Sequence, residues 1–134
     1  MAKLKPTLTL VSTAGSTGVS ENASLALSVT DELTVTDPMV GVSRVACTTT
    51  GGDNIILPSV DATRYLYIKN TGLDASDAAT TAAVKVETGD GARIINLAKD
   101  EFCFLPHHAE TAGIIQLEAS SGTVIAEYAY WTKG

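Results

Sequence analysis

Cysteine is nearly absent from this 134-residue chain, which carries only Cys47 and Cys103. Two thiols so far apart supply neither the ligand set of a zinc cluster nor a disulfide framework. Both lie in apolar, strand-like surroundings and read as small buried hydrophobes rather than redox or catalytic thiols. Aromatic residues make up 5% of the chain while apolar residues reach 45%, so the core must be built from Val, Ile, Leu and Ala, a composition that suits strands. No apolar run approaches the length of a membrane helix, and no membrane partner is expected. Charge is sparse too, at 18% of residues with a formal net charge of −6. The basic residues Lys3, Lys5, Arg44, Arg64, Lys69, Lys85, Arg93, Lys99 and Lys133 are scattered, so nucleic acid is not expected as a partner.

What is present is period two. Between Leu25 and Val35 the apolar residues Leu25, Leu27, Val29, Leu33 and Val35 keep odd numbering, while Ser and Thr fill the other phase. Successive strand side chains point to opposite faces. The pattern therefore predicts two strands, or one bent at Asp31-Glu32, with a buried face and a hydroxyl-rich face. Leu66 and Ile68 likewise oppose Tyr65, Tyr67 and Lys69; Val84 and Val86 oppose Lys85 and Glu87; Ile115, Leu117 and Ala119 oppose Gln116 and Glu118. Val40 and Val42 share one phase and Val45 and Cys47 the other, as a bulge near Ser43-Arg44 would produce.

Turn residues punctuate these runs at Thr36-Asp37-Pro38, Gly51-Gly52-Asp53-Asn54, Asn70-Thr71-Gly72, Gly89-Asp90-Gly91, Lys99-Asp100 and Ser120-Ser121-Gly122. Thr88 to Gly91 reads as a hairpin turn joining Val84–Val86 to Ile94-Ile95. The stretch from Leu73 to Ala83 has helical composition but no apolar stripe, and is expected to be a flexible or weakly helical surface loop.

About eight to ten short strands in one domain spanning residues 1–134 predict an all-β fold, an antiparallel β-sandwich of jelly-roll-like kind. Residues 1–20 form either an arm that leaves the body or an edge strand followed by a loop, with Lys3, Lys5 and Pro6 discouraging further pairing. Thr7 and Thr9 alternate with Leu8 and Leu10 as in a strand rather than a signal sequence, so a protein made inside the cell without cleavage is expected. The acceptor pattern Asn22-Ala23-Ser24 has no weight without a secretory signal.

No catalytic constellation emerges. His107 and His108 follow Pro106 and read as a loop exposing two polar rings, with a metal held between symmetry-related chains as the alternative. The chain is expected not to be an enzyme and to hold no cofactor or metal of its own. Gly89-Asp90-Gly91 lacks the third glycine and following helix of a dinucleotide site. The aromatics are more informative: Tyr65 and Tyr67 share one face of a strand, and Tyr128, Tyr130 and Trp131 crowd the last one. These five are the candidate protein interface, with burial in the core as the competing role for Tyr65 and Tyr67.

The order Tyr67-Ile68-Lys69-Asn70-Thr71, Val84-Lys85-Val86, Ile95-x-Leu97, Glu101-Phe102-x-x-Leu105-Pro106, Leu117-Glu118-Ala119 and Val124-x-Ala126-Glu127-Tyr128 resembles small β-sandwich virion proteins of tailed bacteriophages, marine and cyanobacterial phages above all. The resemblance covers about Arg64 to Trp131. It implies a structural role in the virion, made in the host cytoplasm: a capsid decoration or cement protein, oligomeric, whose partner is the major capsid protein. The alternatives are a neck, tail or baseplate component, a carbohydrate- or receptor-binding module using exposed tyrosines and the tryptophan, and, last, an enzyme using His107 or His108.

Overall fold

The computed structural model describes residues 2–11, 26–38, 41–57, 62–109 and 114–134. Among them lie twelve strands: β1 (Ala2–Leu4), β2 (Thr7–Val11), β3 (Ala26–Thr30), β4 (Leu33–Pro38), β5 (Ser43–Cys47), β6 (Ile55–Leu57), β7 (Ala62–Asn70), β8 (Val84–Thr88), β9 (Arg93–Leu97), β10 (Phe102–Ala109), β11 (Ile115–Ala119) and β12 (Val124–Lys133). The expected number was eight to ten; the short strands β1 and β6 and the paired β2 and β3 raise it. No described helix is long and apolar enough to cross a membrane.

Eight strands pair in nested fashion, β5 with β12, β6 with β11, β7 with β10 and β8 with β9, all antiparallel. Lateral pairing of β12 with β7 and of β11 with β8 joins them into sheets ordered β5-β12-β7-β10 and β6-β11-β8-β9. The nested pairing folds the chain into two packed antiparallel layers, a β-sandwich. The core lies between the sheets. Leu66, Ile68, Val124 and Ala126 of one meet Val84, Val86, Leu117 and Leu97 of the other. All come from the inward phase of their strands, and each large aliphatic side chain buried there contributes about 1.5–3 kcal/mol.

At the end of β7 the fully buried Asn70 links three segments. Its side-chain amide donates to the carbonyls of Ala82 (3.0 Å) and Leu97 (3.1 Å) and accepts from the Gly72 amide (2.9 Å). Gly72 is held at φ +69°, a conformation open to glycine at little steric cost.

The N-terminal strands form a bent hairpin. β1 pairs with β4, which adds to the larger sheet alongside the end of β12. Among the described residues β2 and β3 pair only with each other, as a separate two-stranded ribbon. At the bend the Asp31 amide donates to the Pro6 carbonyl (3.2 Å). The break at Asp31-Glu32 is where the sequence places it; the segment Ser12 to Ser20, Leu25 and Val40 lie outside the described residues.

Several local expectations are corrected. Leu27 and Val29 are exposed although they share the phase of buried Val35, because β3 leaves the sheet that covers β4. Thr36-Asp37-Pro38 is not a turn: β4 runs through it and Pro38 pairs with Trp131, where the register shifts and proline is tolerated. Ser43-Arg44 is not a bulge, since β5 runs in unbroken register from Ser43 opposite Tyr128 to Cys47 opposite Val124; exposed Val42 simply precedes the strand. Residues 73–83 are neither helical nor loosely held. Asp74 Oδ1 accepts from the amides of Ser76 (2.7 Å) and Ala78 (3.0 Å), Leu73 bridges Ala79, and Ala82 is buried.

Candidate interaction surface

Register fixes which side chains share a face, because directly opposed residues point the same way. On β7 the even residues Leu66, Ile68 and Asn70 point into the core, so Tyr65, Tyr67 and Lys69 point out. Opposite them on β10 stand Pro106, Phe104 and Phe102, and on β12 Trp131, Ala129 and Glu127. The outer face of the larger sheet is therefore a band of aromatic rings.

Within the band Tyr65 and Phe104 stack, with ring centroids 6.2 Å apart and planes at 11°, while Tyr67 and Phe102 meet at 6.4 Å with a 40° tilt. Tyr65 is only 8% exposed, but Phe104 is 40% and Phe102 61% exposed. One end of the band is charged: Arg44 Nη2 donates to Glu127 Oε1 at 2.9 Å, with Lys69 opposite Glu127 on the next strand. Burial, and after it the negative charge of Glu127, raises the Tyr67 phenol above its ordinary range.

The structure thus divides the five aromatic candidates. Tyr65, Tyr67 and Trp131 lie on the outer face. Tyr128 and Tyr130 occupy the inward phase of β12, packed against the core, and the Arg64 guanidinium lies over the Tyr130 ring at 5.4 Å from its centroid. Sequence reasoning passed over Phe102 and Phe104, whose alternation with Cys103 and Leu105 was the available signal.

It also passed over the ribbon. Leu8 opposes Val29 and Leu10 opposes Leu27, so these four share a face, while Thr7, Thr9, Ser28 and Thr30 form the other. The apolar four are 40–51% exposed. Leu8 and Val29, with Pro6, Phe102 and Phe104, line a cleft of about 650 Å³ between the ribbon and β10.

The reactive side chains do not converge. His107 and His108 stand in β10, not in an exposed loop, and point to opposite faces. His107 is opposite Arg64 and His108 opposite Thr63, whose hydroxyl lies 2.8 Å from His108 Nδ1. Burial pushes the Cys47 thiol up to about 12 and the Cys103 thiol up to about 11, so both stay protonated near neutral pH. Among the described residues no group of three or more His, Cys, Asp or Glu side chains is placed to hold a metal ion. The outer face of the smaller sheet carries ion pairs Lys85–Glu118 and Arg93–Glu87, the latter at 3.9 Å, together with the exposed Ile55 and Ile94.

No family model, curated protein or solved structure matches this chain. A functional reading therefore starts from the surface itself, in which contact area rather than reactive chemistry is prominent.

Proposed function

We propose that this chain is a virion structural protein of a tailed bacteriophage, an auxiliary protein that binds the outside of the major capsid shell as an oligomer and stabilises it. One observation carries the assembly part of the reading: large apolar side chains of the ribbon and of β10 stand exposed together around one cleft. An apolar patch of this size is often a contact site. The phage assignment rests on the ordered segments from Arg64 to Trp131. Double-sheet jelly rolls serve in viral capsids and in lectins alike, so the fold is compatible with the role without specifying it.

The mechanism is added interface. Symmetric copies bridge neighbouring shell subunits, and the free energy of the new contacts opposes the internal pressure of packaged nucleic acid. The chain has no turnover to perform in this reading.

Quantifying the chain in purified virions tests the assignment. Shell decoration requires a copy number comparable to that of the shell subunit; a few copies per particle place it in the neck, tail or baseplate, and absence from particles overturns the virion reading. A sugar-binding module is less well supported. Its stacking rings would need to be open, yet Tyr65 is buried and the most exposed ring, Phe102, belongs to an apolar cleft wall.

A further inference from the structure

The ribbon formed by β2 and β3 presents a physical problem. A lone two-stranded hairpin is marginally stable in water and needs further strands or a packed apolar face. Among the described residues it pairs with no third strand, and its apolar face of Leu8, Leu10, Leu27 and Val29 is about half open to solvent. The cleft beside it adds Phe102 and Phe104.

Together these six side chains expose on the order of 500 Å² of apolar surface, taking ~150–250 Å² for a large side chain. That lies in the upper part of the ~300–600 Å² found for the largest patch of a monomer. Contributed by two copies, it reaches the ~1,000 Å² scale of a specific interface.

Charge favours a second copy as the occupant. Two chains of net charge −6 repel one another. The ribbon strands Thr7–Val11 and Ala26–Thr30 contain no charged residue, and at their base Lys3 is already paired with Glu32 at 3.1 Å. Contact through the ribbon brings the copies together where the only charge at the surface is the Asp31 carboxylate on the cleft wall. Leu8 and Val29 belong both to the leucine face and to the cleft wall, so face and cleft form one surface that can meet the same surface of a second copy.

We propose that the ribbon is a self-assembly element, its leucine face and the adjoining cleft wall packing against the same surface of a second copy in a two-fold pair. The inference rests on the reading of this chain as an assembly component. It concerns contact between copies rather than contact with a shell.

Sedimentation equilibrium of the purified full-length chain tests it, beside two double variants. Leu10→Lys with Leu27→Glu replaces one of the two apolar pairs of the face by opposite charges across the hairpin. Thr9→Lys with Ser28→Glu makes the same change on the hydroxyl face. Wild type and the hydroxyl-face variant are expected to self-associate, and the leucine-face variant to lose association on the order of 100-fold. Thermal melting followed by Trp131 fluorescence verifies that each variant is folded; should the double variant melt early, Leu10→Ser alone gives the same reading.

A wild-type monomer at the highest soluble concentration overturns the proposal, whether residues 12–25 or a foreign protein covers the face instead. So does association that survives loss of the leucine face in a folded variant. Absence of the chain from virions leaves this result standing, whereas a monomeric chain abundant on capsids defeats this inference and the oligomeric part of the proposed function but not the virion assignment.

Discussion

Tyr65 and Phe104 lie on adjacent strands with their rings nearly parallel, 6.2 Å between centroids, and the covered ring is the tyrosine. Phe104 thus has one side against Tyr65 and another toward the cleft, and its replacement should register in two separate measurements. Phe104→Ala is expected to lower folding stability by about 0.5–1.5 kcal/mol from the ring pair, plus the area lost with it. Urea unfolding measures the first effect. If the cleft is the contact site, sedimentation shows a larger proportional loss of self-association than Tyr67→Ala gives.

Asn70 is expected to be far more sensitive than its polar character implies. Asn70→Ala removes the donor to two carbonyls, Ala82 and Leu97, in a position without solvent access. Leaving buried acceptors unpaired costs about 1–3 kcal/mol each. Denaturant unfolding should place this variant among the most destabilised single substitutions, and Asn70→Asp should not rescue it, because a carboxylate has no proton to donate.

At Gly72, alanine should destabilise by about 1 kcal/mol or more, since φ +69° is unfavourable for any residue with a Cβ. The added carbon would also lie 2.6 Å from Lys99 Cγ. Lys99 is exposed and can swing aside, so Gly72→Ala with Lys99→Ala should recover only the steric part. A double-variant cycle in urea separates the two contributions.

The buried thiols predict an alkaline limit to stability. Their ordinary value is near 9, and folding raises Cys47 to about 12 and Cys103 to about 11. The unfolded chain therefore releases these protons first as pH rises. Their contribution is fully present below pH 9 and is lost as pH climbs toward 11 and 12. Unfolding free energies measured upward from pH 8 should fall along this range, and less steeply in a Cys47→Ala, Cys103→Ala variant.

Much of this fold was legible in the chain. The alternations at Leu66–Ile68, Val84–Val86 and Ile115–Ala119 each gave the correct inward phase, because a strand has only two faces and burial sorts side chains between them. Thr88 to Gly91 gave a hairpin, with the Gly91 amide donating to the Thr88 carbonyl at 2.9 Å. Residues 36–38 misled because turn propensity is local: a Thr-Asp-Pro triplet reads as a turn until β12 supplies a partner for it. The interaction surface was harder to read. Tyr65, Tyr67, Tyr128, Tyr130 and Trp131 looked alike in sequence, and register alone assigns them to opposite faces of one sheet.

Composition and periodicity by themselves determined that this chain makes strands, where most of them turn, and which residues of a strand go together. They could not determine what lies over each face. Leu27 and Val29 continue the same odd-numbered pattern as Leu33 and Val35, yet the first pair stands half open to solvent while Val35 is buried. The difference arises at Asp31, where the hairpin bends and β3 parts from the sheet that receives β4. Period two encodes only that the faces differ. Whether an apolar face becomes core or contact surface depends on which distant strands arrive to cover it, and only the tertiary structure decided that.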